Sequence, residues 1–544
     1  MGASPLVGSL QQTMSPSCLL IEDLITSSPG VVMLHVGAWV LVLYTIHRFT
    51  LDRRDGAGRS KIPTVRGWPV IIPDIVNKLS FNWQAPRLIR EGYTKYKDQP
   101  FRILKLGKPL VVIPFKYADE LRSVSNQKLS QREAFEAFGA SFRGRTGSYT
   151  GVYSGSDMYN DVIHRRLTPN IPRMIPEVID ELHHAFNQDL PPCDGTWARV
   201  QPHKMFLGLV SRTGSRVFVS RPICRDPEFL ETTVSLTTNA FTIAAIMDYV
   251  PSVLQPLVSS RLRVVKQLRA QLDYINDILG SEVERRRRTA AAAAAAATTT
   301  MTTTTEKGPD HNDFLEWASE RAVLPEDQDS ESLARLTTAI LSMAVVHTSA
   351  MAATHLIYDL VERPDVLERL IEEQETLLPG GWSEITQEIM QDMRLLDSVL
   401  KESQRFNPVS EVAFNRLVKE RIVLSDGFVL EPGQQIGIAG KLINQEPEAM
   451  KTYDAFRWVS DPSPTAAWTY SGTHNLSFGF GRYACPGRFF AIYQLKAILS
   501  RFLLEYDFQL EDGSTVRPRN VAFGDKIAAD YSKHLLIKKR VARS

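Results

Sequence analysis

Between residues 329 and 362, Leu333, Leu336, Ile340, Leu341, Ala344, Val345 and Thr348 recur at three- and four-residue steps. That period predicts one long helix. Asp329 or Ser330 supplies a capping side chain at its start, and Pro364 closes its end. At 1.5 Å per residue such a helix is roughly 50 Å long, enough to cross a whole domain. It is apolar on more than one side, which places it in the middle of a large helical fold. A second helix is expected over 391–405, with Met393, Leu396, Val399 and Leu400 on one face. A third starts near Gly487, where Leu495, Ile498, Leu499, Phe502 and Leu503 make a buried stripe. Between them, residues 422–424 and 428–430 flank Ser425-Asp426-Gly427 and read as a β-hairpin. After the Glu431-Pro432-Gly433 turn, residues 435–438 read as a strand. The sum is mainly α with a minor β component.

The N-terminal pattern differs. The first 47 residues hold no Lys or Arg, residues 31–46 are mostly apolar, and Arg48, Arg53, Arg54, Arg59 and Lys61 follow. This reads as a transmembrane anchor over 30–47, with 1–29 lumenal and the downstream side cytosolic. A cleaved signal peptide and a buried core helix are the competing readings. Residues 48–73 are basic and proline-rich and read as a linker, with 74–544 as one domain. Residues 285–309 are a low-complexity Arg, Ala and Thr tract, expected as a solvated helix tail running into a loop. No function is assigned to it.

Composition narrows the class. Of 544 residues, 43% are hydrophobic and 23% charged, which is globular. The net charge of +2 gives no global basic bias towards nucleic acid, and none is expected as a partner. Four cysteines, with no CxxC, exclude a disulfide-built scaffold and disfavour a structural zinc site. One of them, Cys485, follows Gly479 and Gly481, precedes Pro486 and Gly487, and lies just before a helix. Amide groups at a helix start hydrogen-bond a thiolate, and the glycines let a flat partner approach. An ordinary buried cysteine in a turn is the competing reading.

The string FGFGRYACPGRFFA over 478–491 resembles the haem-binding signature of the cytochrome P-450 monooxygenases, with Phe478, Gly481, Cys485 and Gly487 at the matching positions. Three further segments match in the family's order. Glu402 and Arg405 stand as its E-x-x-R pair, Arg457 in YDAFRW as their third partner, and residues 344–350, AVVHTSA, as its oxygen-helix segment. The look is that of fungal secondary-metabolite members. The resemblance implies a haem whose iron is held by Cys485, and a buried triad of Glu402, Arg405 and Arg457 locking the cysteine loop. It implies a role for Thr348, with His347, in proton delivery. His347 stands where the family has Asp or Glu, and Val345 where it has a small residue.

For the propionates the resemblance points to Arg165, chosen from His164, Arg165 and Arg166, and to Arg416. Tyr483 occupies the position where Arg or His is usual, with Arg482 beside it. Residues 412–414 and 149–153, with Ala344 and Val345, are expected to line the substrate pocket. The implied partners are O2, a small lipophilic substrate of terpenoid or indole-terpenoid type, and an NADPH-dependent cytochrome P-450 reductase. Arg482, Arg488 and Lys496 form the basic face expected to meet that reductase. The implied location is the endoplasmic reticulum membrane, single-pass. Two other readings remain: a haem-thiolate isomerase or dehydratase of the same fold that needs no reductase, and a membrane-tethered all-α binding protein without haem.

Overall fold

The computed structural model describes residues 62–138, 158–250, 254–299, 312–446, 448–473 and 475–540. The expected anchor over 30–47, the segment 1–29 and the loop 149–153 lie outside the described residues. So do all but the last residues of the linker.

The long helix runs without a break from Ser330 to Val361. Its start is capped as its sequence allows: the Asp329 carboxylate accepts the Ser332 amide at 2.8 Å. Two α-helical stretches, Ser330–Ala339 and His347–Val361, flank a π-wound stretch, Ile340–Val346. The widened turns are held from outside. Ser342 Oγ donates to the Thr233 carbonyl at 2.6 Å and sits 2.5 Å from Thr237 Oγ1. Among the described residues this is the one helix long and apolar enough to cross a membrane, and protein covers most of it. It is the core of the domain.

Helices Pro202–Val219, Pro227–Asp248 and Arg394–Phe406 pack on this central helix. Gly214 is required by the first of these packings. A Cβ there would lie 3.1 Å from Leu341 Cδ1 and 3.4 Å from Val345 Cγ1. The helix expected over 391–405 is shorter at its start, Arg394–Phe406, and a separate turn, Gln387–Asp392, precedes it. Its first amides find no local cap. Glu373, from helix Pro364–Leu377, accepts them instead, Leu395 N at 2.6 Å and Leu396 N at 3.0 Å. The cysteine helix spans Arg488–Glu505 and buries Leu495, Ile498, Leu499, Phe502 and Leu503.

The β component sits at one side. Six strands run in the spatial order Thr64–Val65, Phe101–Ile103, Leu110–Val112, Gln435–Ile438, Ala413–Val418, Leu129–Ser130. The Asp-Gly hairpin pairs Ile422–Val423 with Val429–Leu430, and Gly427 takes the positive φ of +82° that the turn needs. A two-stranded ribbon, Val521–Phe523 with Lys526–Ala528, turns towards the sheet.

The low-complexity tract begins as the expected helix tail: alanine is the strongest helix former, and helix Ser281–Thr299 extends into it. Residues 300–309 lie outside the described residues. Arg286 is no solvated cation. Its guanidinium forks onto Asp313, fully buried, with both contacts at 2.8 Å, and it also pairs with Glu282. Removing one partner of a buried pair strands the other, at a cost of about 3–5 kcal/mol. Arg286→Met is therefore expected to lower the urea midpoint strongly. Arg288→Met, on the exposed side of the same helix, is expected to change stability by less than about 0.5 kcal/mol.

Candidate active site around Cys485

The loop before the cysteine helix is folded by its own backbone. Gly479 and Gly481 take φ values of +82° and +72°, which side chains resist. At Gly481 space forbids a side chain too, because a Cβ would meet Arg122 Cβ at 2.5 Å. The Cys485 amide donates to the Phe478 carbonyl at 2.7 Å and closes the loop. The Phe478 ring packs against Trp468, 5.4 Å between centroids. The amides of Gly487 and Arg488 donate to the Cys485 sulfur. Burial pushes that thiol up, while these amides and the Arg488 guanidinium pull it back.

Protein surrounds Cys485 as in the deep interior, yet its surface is accessible. Its open face therefore borders an internal space. The other described cysteines differ. Cys193 and Cys224 are buried, and burial pushes the Cys224 thiol up to about 12. Among the described residues no group of His, Cys, Asp and Glu is arranged to hold a metal ion.

A cavity of about 300 Å³ adjoins the loop, lined by Gly479 and Tyr483 and by Val412, Phe414 and Arg416 across from them. Arg416 is 3% exposed, and no carboxylate among the described residues pairs with it. Its one hydrogen bond goes to the Asn415 carbonyl at 2.8 Å. The guanidinium lies 4.2 Å from the Phe414 ring and 5.4 Å from the Tyr483 ring. Burial pulls its pKa down to about 10. A buried cation without an anion is costly. A thiolate donor at one place and an unmatched guanidinium at another fit haem, which offers iron to the first and a carboxylate to the second.

Glu402 and Arg405 meet as a buried fork, with Nε at 2.8 Å and Nη2 at 2.6 Å from the carboxylate. Arg457 Nε reaches the same carboxylate at 3.5 Å, the Asp454 amide at 2.9 Å, and Trp458 Nε1 at 3.4 Å. Arg405 spends its other donors on the carbonyls of Asn444, Thr452 and Met450.

On the central helix, Thr348 Oγ1 donates to the Ala344 carbonyl at 2.5 Å, across the end of the π-wound stretch. Ala344 is exposed although it lies mid-helix, so this face also borders interior space. His347 turns to the neighbouring helix. Its Nε2 lies 2.9 Å from the Val234 carbonyl, and burial pulls its pKa down, so the ring is neutral and Nε2 is the donor.

Other expected residues are placed elsewhere. Arg165 is exposed, pairs with Asp161 at 2.5 Å and does not line the cavity. His164 is exposed, and Arg166 pairs with Glu320 at 2.5 Å. Arg416, expected at the propionates together with Arg165, does line the cavity and has no anion among the described residues. The basic face is also corrected. Lys496 is buried and pairs with Asp397 at 3.0 Å. Arg488 is spent on the Cys485 carbonyl at 2.6 Å and the Thr469 carbonyl at 2.9 Å. Arg482 alone of the three stays exposed. Sequence reasoning missed Asn444 and Lys105, which carry no motif.

Residues 157–528 match the family model described as Cytochrome P450. The cytochrome P450 monooxygenase ltmP of Epichloe festucae var. lolii is 41% identical, over 93% of this chain and 98% of that protein. The cytochrome P450 monooxygenase idtP of Claviceps paspali is 40% identical, over 88% and 94%. The cytochrome P450 monooxygenase paxP of Penicillium paxilli is 37% identical, over 94% and 95%. A solved cytochrome P450DA haem domain, 18% identical, shares the fold with a TM-score of 0.65 over 88% of this chain and 97% of that one. The accessible Cys485 thiol, the unmatched guanidinium and the widened central helix are thus those of a chain that belongs to the cytochrome P450 family, a haem-thiolate monooxygenase working with dioxygen, a lipophilic substrate and a redox partner.

Proposed function

We propose that this chain oxidises a bulky lipophilic substrate of terpenoid or indole-terpenoid type in fungal secondary metabolism, with Cys485 as the thiolate ligand of the haem iron. Electrons come from NADPH through a cytochrome P-450 reductase. The domain 74–544 stands in the cytosol, held at the endoplasmic reticulum membrane by the segment 30–47. The observation that carries the ligand assignment is the Cys485 sulfur itself, enclosed by protein, open to an interior space and met by two amides. The mostly apolar lining around Val412 and Phe414 supports a lipophilic substrate.

Bound there, haem would supply the activation of dioxygen, one oxygen atom entering an unactivated C–H bond and the other leaving as water with the two electrons and two protons delivered. The chain's residues do the rest. Arg416, beside Tyr483, would hold a propionate. Glu402, Arg405 and Arg457 hold the cysteine loop in register. Thr348 donates its hydroxyl hydrogen to the Ala344 carbonyl, so its oxygen is left only to accept hydrogen bonds. It orders a proton donor instead of acting as one. His347, anchored to Val234, fixes the widened turn and keeps only Nδ1 for proton exchange.

Cys485→Ser is expected to abolish the red-shifted Soret band that the reduced, carbon-monoxide-treated protein shows. Persistence of that band would overturn the ligand assignment. Arg416→Met is expected to speed haem transfer to apomyoglobin by about tenfold, the worth of a charged hydrogen bond. The same change removes an unpaired buried cation, so the apoprotein's urea midpoint should stay level or rise. Unchanged haem transfer would remove Arg416 from the propionate site.

A further inference from the structure

One part of the cavity wall is charged. Lys105 follows the strand Phe101–Ile103 and lines the same cavity as Gly479 and Tyr483. Its side chain is deeply enclosed, and burial pulls its pKa down. Asp525, Lys526 and Asp248 are the charged groups that act on it. Asp525 makes its contacts elsewhere: its Oδ2 accepts from Ser410 Oγ at 2.8 Å and Lys526 Nζ at 3.0 Å. Burial pushes the Asp248 carboxyl up to about 6, while Lys105 pulls it back. No hydrogen bond or ion pair joins Lys105 to another described residue. An interior amine with N–H groups to spare, on the wall of a cavity, is unsatisfied by the protein alone.

The segment from Ser410 to Arg416 gives the cavity its long direction. Ser410 touches Asp525 and Lys526, and Arg416 lies over Tyr483. Six residues of extended chain span at most about 20 Å. Lys105 thus neighbours the Ser410 end of this segment, and the cysteine loop its Arg416 end. The wall of the same cavity also carries the apolar Phe81, Phe241 and Val409 beside the polar Ser410, Asp525 and Lys526.

We infer that Lys105 donates a hydrogen bond to an acceptor oxygen of the substrate, a ketone, ether or hydroxyl, at the Ser410 end of the cavity. This rests on the placement of haem at the Cys485 end. Lys105 is then a specificity residue. A single fixed contact at that end sets which carbon of a rigid apolar skeleton reaches the reacting end. The ligand class is a bulky hydrocarbon frame with an oxygen at one extremity. A carboxylate would also bind an ammonium, and its preference separates the two.

The test uses the full-length holoprotein and imidazole probes, whose ring ligates haem iron and shifts its Soret band. The probes are 1-dodecylimidazole, 12-(imidazol-1-yl)dodecan-2-one and 12-(imidazol-1-yl)dodecanoate. The wild type is expected to bind the ketone about tenfold more tightly than the hydrocarbon. In Lys105→Met that gap should close, with hydrocarbon affinity unchanged, and Lys105→Arg should restore it. A loss of packing alone would weaken both probes together. Equal affinities in the wild type, or a gap that survives in Lys105→Met, would overturn the assignment. So would a carboxylate preferred over the ketone by more than the ketone is over the hydrocarbon. Failure of the haem reading shows separately, as the absence of any Soret shift with 1-dodecylimidazole and of the carbon-monoxide band.

Discussion

A run of hydrogen bonds joins the Cys485 loop to the buried fork between Glu402 and Arg405. Stripping water from two charges costs several kcal/mol for each ion, and only excellent geometry offsets it. Here each charge is spent in full. Glu402 accepts two guanidinium bonds and the Asp454 amide, while Arg405 also gathers three carbonyls. One of those carbonyls belongs to Asn444, whose side chain carries the constraint onward. Asn444 Oδ1 accepts the Leu476 amide at 2.8 Å, and Nδ2 donates to Ser477 Oγ at 3.1 Å. Two residues later the Phe478 carbonyl receives the Cys485 amide. An ion pair on one helix is thereby joined to a loop 80 residues downstream.

The cavity beside that loop has a wall of mixed apolar and polar side chains. Cys485, in the loop itself, offers an electron-rich sulfur with amides behind it. Arg416 offers a cation without a protein anion, and Lys105 offers donors without a protein acceptor. Away from bulk water such groups attract a matching partner more strongly. On the central helix, Ser342 and His347 hold the π-wound turns at 340–346 by reaching to the adjoining helix.

Local order was legible in the chain and long-range pairing was not. The central helix follows from its own periodicity and the Asp329 cap, and the hairpin from Asp426-Gly427. Cys485 stood out because its glycines and helix start lie within a few residues. Arg286 did not, because its partner Asp313 is 27 residues away across a low-complexity tract, and a run of four arginines looks solvated. Lys496 read as surface for the same reason, since a helix pattern does not tell which cation finds a buried Asp397. Arg165 sat in a recognisable segment, but Asp161 one turn earlier takes its charge. Lys105 is a single lysine after a short strand, and only the fold shows that Asp525 makes its contacts elsewhere. The π-winding leaves no mark in an apolar run, because its cause lies in Thr233, Val234 and Thr237 on another helix.

The coupling between the ion pair and the thiol is tested most directly by cutting the link that joins them. Asn444→Ala leaves Glu402 and Arg405 intact, with the Asn444 backbone carbonyl still in place, and removes only the side-chain bonds to Leu476 and Ser477. The measurement is the carbon-monoxide difference spectrum of the reduced protein, read beside its far-ultraviolet circular dichroism. The expected result is native helix content with a substantial share of the haem lacking the red-shifted thiolate band. A full thiolate band, as stable on storage as that of the unaltered protein, would contradict the dependence of Cys485 on the Glu402–Arg405 pair.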